Sequence, residues 1–147
     1  MDLTSAADCD PMQDRDQATI MAEGLNCTAV FAGVDELQLD FDSPTNPADL
    51  YWKQVSCLHE CLQVLLGQPV FTKSKSGNWH ARIKLSKNLS DTERIILQLL
   101  LGSDPAREGN NLARWFAQGD ARVCLFVPKP KLLLSANPKG LLGEICL

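Results

Sequence analysis

The stretch ELQLDFDS (36–43) decides how the rest of the chain is read. Leu37, Leu39 and Phe41 alternate with Gln38, Asp40 and Asp42, the period-two pattern of a strand with one face on a core. The polar face ends in two carboxylates two residues apart. They repel each other and weaken strand pairing, so something has to compensate them.

Downstream, SPTNPAD supplies a turn and a helix start, with Pro47 suited to the first turn. Tyr51, Val55, Leu58, Leu62 and Leu65 then recur at spacings of three and four, which predicts one amphipathic helix over 48–66 ended by Gly67. Two strands, 70–75 and 79–85, flank the hairpin signal SGN. In the second of these, Trp79, Ala81, Ile83 and Leu85 alternate with His80, Arg82 and Lys84. SDTE opens the next helix as a capping box, Ser90 with Glu93, and the apolar run reaches Leu101. A further helix over 105–118 directs Leu112, Trp115 and Phe116 inward, and a strand over 122–127 stops at Pro128. Upstream, 27–32 reads as a short extra strand and 17–23 as a helical turn.

The order βαββααβ is that of an α+β, ferredoxin-like or RNA-recognition-like domain: a four-stranded antiparallel sheet with helices on one face and the other face open. The domain spans 27–127, between an acidic, poorly ordered segment (1–26) and an apolar, Pro-containing tail (128–147) that packs on the domain or on a partner. Turning the apolar faces of 36–42 and 79–85 to the helices sends Asp40, Asp42, His80, Arg82 and Lys84 to the open face. Because these strands are antiparallel neighbours, the end of one lies beside the start of the other. Asp40, Asp42 and His80 meet there, although some forty residues separate them in sequence.

The 147 residues suffice for one domain with a core of its own. No window approaches the roughly 20 apolar residues of a membrane span. The first residues, MDLTSAADCDPMQDRDQ, are acidic and polar, unlike a signal or transit peptide, so a cytoplasmic protein is expected. The six cysteines include no CxxC, and Cys57 and Cys61 read as core thiols on a Leu-rich helix face. A net charge of -4 argues against indiscriminate nucleic-acid binding. The charge is uneven, however: 68–90 carries Lys73, Lys75, Arg82, Lys84 and Lys87 and no Asp or Glu.

Paired carboxylates on a strand are a hard-oxygen site for Mg²⁺ or Mn²⁺, and a bound divalent ion removes their repulsion. Two-metal phosphoryl or nucleotidyl transfer uses such a clamp, with a histidine and basic groups on phosphate oxygens. The pair LQLDFDS and SGNWHARI resembles the first two motifs of archaeo-eukaryotic-type primases and primase-polymerases: apolar-apolar-Asp-apolar-Asp, then a small residue followed shortly by His. The resemblance covers about residues 34 to 127 and rests on short motifs. It implies an RNA-recognition-like catalytic core. In it Asp40 and Asp42 bind the catalytic metals, His80 contacts the incoming nucleotide, and Ser76 stands for the small residue before the histidine.

From position, Lys73, Arg82 and Lys84 are candidate phosphate or template contacts. The implied function is metal-dependent nucleotidyl transfer in DNA replication, using an NTP or dNTP and a single-stranded template. A helicase or other replication protein is a partner, and a phage or mobile element a source. The alternative on the same fold is an inactive module that binds nucleic acid or a replication partner. The family's third motif, an apolar residue followed by Asp or Glu on a later strand, is missing from ARVCLFVPKP; Asp120 and Asp104 are the nearest acids. In GSDPARE (102–108), Asp104 and Pro105 read as a helix cap and first helical residue. The functional reading puts Arg107 on a phosphate and Asp104 on a metal.

Overall fold

The computed structural model describes residues 11–119 and 123–129, with side chains from residue 17. Asp120 and most of the C-terminal tail lie outside these residues. In chain order the elements are α1 (Pro11–Gly24), β1 (Cys27–Phe31), β2 (Glu36–Phe41), α2 (Ala48–Cys57), α3 (Glu60–Gln63), β3 (Leu66–Lys73), β4 (Trp79–Leu85), α4 (Asp91–Leu100), α5 (Pro105–Gln118) and β5 (Cys124–Pro128).

The α+β class holds, with helices and antiparallel strands. β4 is the centre of a three-stranded sheet, β2-β4-β3, while β1 and β5 form a separate two-stranded ribbon. Alternation sorts β2 and β4 as the sequence implies. Leu37, Leu39, Phe41, Ala81, Ile83 and Leu85 are buried together with Tyr51 of α2, Leu97 of α4 and Leu101, the C-cap of α4. Phe71 of β3 meets the Tyr51 ring edge-on at 5.7 Å. The capping box forms: Ser90 Oγ accepts from Glu93 N at 3.3 Å and Ser90 N donates to a Glu93 carboxylate oxygen at 2.8 Å.

The expected four-stranded sheet is not formed among the described residues, and the reason lies at the outer edge of β2. The main-chain groups there that a fourth strand would bind are already bonded. Gln38 N donates to Gln98 Oε1 (3.0 Å), and Gln38 O accepts from Arg107 Nη1 (2.7 Å). Asp40 N donates to Ser103 Oγ (3.0 Å), and Asp40 O accepts from Asp104 N (2.6 Å). Polar groups of α4, α5 and the joint between them therefore take the place of a strand. Arg107 also donates to Cys124 O at 3.1 Å, joining β2 to β5 through a guanidinium where a ladder was expected.

The helix expected over 48–66 breaks at Leu58 and His59, both in extended conformation, and restarts as α3 with His59 as its N-cap. Gly67 does not end a helix; it lies inside β3, where a Cβ would stand 2.7 Å from the Lys84 carbonyl oxygen. Cys57 and Cys61 are exposed rather than core thiols: Cys57 ends α2 away from the face that buries Tyr51, and Cys61 lies in α3, which buries no side chain. Phe116 is also exposed rather than inward, and Leu112 and Trp115 are half-buried. What α5 buries is polar, Glu108 and Asn111.

Candidate functional site

Asp40 and His80 are directly opposed in the β2–β4 register, on the face away from the helices. His80 Nε2 lies 3.5 Å from Asp40 Oδ1, with the histidine side chain 9% and the aspartate side chain 32% exposed. This end of the face is not open. Leu25 and Cys27, Cys124 to Phe126 of β5, and Ser74, Lys75 and Ser76 of the β3–β4 turn close a cavity of about 450 Å³ over Asp40 and His80. The turn is tight: Ser74 N donates to Asn78 O at 2.7 Å, and Gly77 takes a φ of 95° that side-chain-bearing residues rarely adopt. Lys75 Nζ donates to the Leu25 carbonyl and ties the turn to the segment before β1.

Burial raises the Asp40 carboxyl above its ordinary range. His80 and Arg107 pull it down, while Asp104 and Asp42 push it up further. Burial lowers His80 below its ordinary value. Asp40 opposes that shift and Arg107 adds to it. That direction favours the neutral imidazole, which has one donor and one acceptor nitrogen to offer.

Asp42, just past the end of β2, is exposed, and its Oδ1 accepts from Asn78 Nδ2 at 2.6 Å. Asp104 is a helix cap: its oxygens accept from Ala106 N at 3.3 Å and Arg107 N at 3.0 Å. Asp104 and Asp42 both add repulsion at Asp40, which a cation would relieve, and Asp40 and Asp42, two residues apart at the end of β2, would be its hard-oxygen ligands. Asp104 is engaged by backbone amides and is not placed as a third. Among the described residues no three His, Cys, Asp or Glu side chains are grouped to hold a metal ion.

The other candidates separate. Ser76 lines the cavity, its Oγ 2.9 Å from that of Ser74. Lys73 does not join it: it pairs with Trp79 in the register and lies over that ring, 6.0 Å from its centroid, on the side opposite Asp40 and His80. Arg82 and Lys84 share the polar face but are neutralised within the fold. Arg82 binds Glu36 through Nε (3.2 Å) and Nη2 (2.8 Å), and Lys84 binds Asp35 at 3.0 Å. Arg107 points into the protein and bonds Gln38 O, Cys124 O and Glu108. Lys75 and Ser74 were missed as cavity residues. The expected strand ran on to residue 75; the turn instead begins at Ser74, ahead of SGN, which takes Ser74 and Lys75 out of β3 and sets them at the cavity.

No family model matches the chain, and no curated protein or solved structure matches it either. Among the described residues no helix is long and apolar enough to cross a membrane.

Proposed function

We propose that the chain is a reduced primase-polymerase-type domain that transfers nucleotides at the Asp40–His80 cavity, using an NTP or dNTP and a single-stranded nucleic-acid template. The observation that carries this reading is the cross-strand pairing of Asp40 with His80 at 3.5 Å, on the wall of a cavity rimmed by Lys75, Ser74 and Ser76. Asp40 and Asp42 would hold Mg²⁺ or Mn²⁺, which supplies charge neutralisation at the phosphates and acidifies the attacking hydroxyl. Neutral His80 donates a hydrogen bond to the nucleotide without adding charge. Lys75 and the two serines hold phosphate oxygens once Lys75 leaves the Leu25 carbonyl. Arg82 and Lys84 serve the template only by exchanging their carboxylate partners for phosphates.

A second reading is favoured by one observation, the engagement of Asp104 as a helix cap. Without a third carboxylate the cavity binds nucleotide or nucleic acid and does no chemistry. Manganese-dependent primer extension and dinucleotide synthesis by the full chain, compared with an Asp40→Ala/Asp42→Ala variant, separate the two. Synthesis that falls to background in the variant is expected. A wild-type chain that makes no product and binds nucleic acid equally with and without Mn²⁺ sinks the enzyme reading.

A further inference from the structure

We propose that Ser103, Arg107 and Glu108 are positioning residues that fix the Asp40 carboxylate at the cavity wall; this rests on the nucleotidyl-transfer reading of Asp40 as a metal ligand. Asp40 is the penultimate residue of an edge strand, where a ladder is missing on one side and the end frays. His80, opposite it, lies on the central strand and is held from both sides. The geometry between them therefore depends on what holds Asp40.

Both of its main-chain groups are held from the α4–α5 joint, by Ser103 Oγ and by Asp104 N. Ser103 accepts from Asp40 N–H only while its own proton points elsewhere, and it donates that proton to Glu108 Oε1 at 2.7 Å. The same oxygen accepts from Arg107 Nη1 at 2.5 Å, orienting the guanidinium that binds Gln38 O. The other oxygen of Glu108 is filled by Gln98 Nε2 (2.8 Å) and Asn111 Nδ2 (3.0 Å). One carboxylate with no exposed surface thus orients the side chains of Gln98, Ser103 and Arg107 that bond the main chain of β2 at Gln38 and Asp40.

A helix joint does not require this. α5 is already started by the Asp104 cap and Pro105, and burying a carboxylate costs more than burying a leucine. The polar groups are accounted for by what they hold, the strand end that carries Asp40. Through them the joint segment acts on the site without touching nucleotide.

The test uses the full chain with Mn²⁺ alone as the probe. Backbone amide exchange and Mn²⁺-induced broadening of amide signals are measured for wild type, Ser103→Ala, Glu108→Gln and a control, Ser90→Ala, which weakens α4 without touching β2. Ser103→Ala is expected to speed exchange of the Asp40 amide about tenfold relative to that of Leu39. Ser103→Ala and Glu108→Gln are expected to weaken Mn²⁺ binding about 10–100-fold. Ser90→Ala, although less stable, is expected to leave both unchanged. If Glu108→Gln does not fold, Ser103→Ala carries the test. Unchanged Asp40 exchange in Ser103→Ala overturns the proposal, as does faster exchange with unaltered Mn²⁺ affinity. A wild-type chain whose signals never broaden overturns the metal role of Asp40, and the exchange ratios then decide separately whether the joint holds the strand end.

Discussion

Tyr51 shows what a single atom costs this core. The ring is fully buried between Trp52 and Phe71, yet its hydroxyl has no hydrogen-bond partner among the described residues. Burial pushes its pKa up to about 12. An unpaired buried hydroxyl is a penalty that phenylalanine does not carry, so Tyr51→Phe should stabilise the fold by about 1 kcal/mol. Urea denaturation checks this, and a loss of stability would mean that the hydroxyl has a partner. Asp40 and His80 were legible at the same scale, because strand alternation and antiparallel order are enough to make them meet. The cap role of Asp104 was legible too, in GSDPARE ahead of a helix. The fate of Arg107 was not, because the main-chain carbonyls of Gln38 and Cys124 that it binds leave no trace in residue type.

At the scale of elements, β3 turns on Gly67. The register of β3 against β4 shifts between Leu66 and Pro69, and the bulge presses the Gly67 backbone onto Lys84. Gly67→Ala sets a methyl carbon against main chain that cannot step aside. It should cost on the order of 1–3 kcal/mol in thermal or denaturant unfolding; a neutral result would show that the strand pair can separate there. In sequence this glycine looked like a helix stop, since it follows an apolar run of helical spacing. The run is legible and its interruption is not: Leu58 and His59 carry no helix-breaking chemistry, and the break appears only once His59 caps α3. The ribbon of β1 and β5 was hidden in a similar way. Whether β5 joined β2 depended on who claimed the edge of β2 first, and the claimants are polar residues of two helices and their joint.

For the whole molecule, the charge on the polar face of the three-stranded sheet is largely self-contained. Burial alone would raise Glu36, but bonds from Arg82 and Gln38 and the charges of Arg82 and Lys84 outweigh it and hold the carboxyl below its usual value. A carboxyl with a lowered folded-state pKa contributes stability above its unfolded value, roughly pH 4.3, and loses it as pH falls through the folded value. Glu36→Gln should therefore be less stable than wild type at pH 7 and converge with it in acid. Parallel melting curves from pH 7 to 2 test this, and a gap that stays constant with pH would refute it. Within the run of residues that has no acid of its own, Arg82 and Lys84 find their counter-ions in Glu36 and Asp35, at the start of β2 and just before it. The sealed margin of β2 has one more effect. Among the described residues nothing bonds the outer margin of β3, so the sheet is a one-ended ladder. Any strand arriving from outside can be accepted only beside Phe71 and Lys73, whose main-chain groups face away from β4, and there Pro69 leaves one rung without a donor.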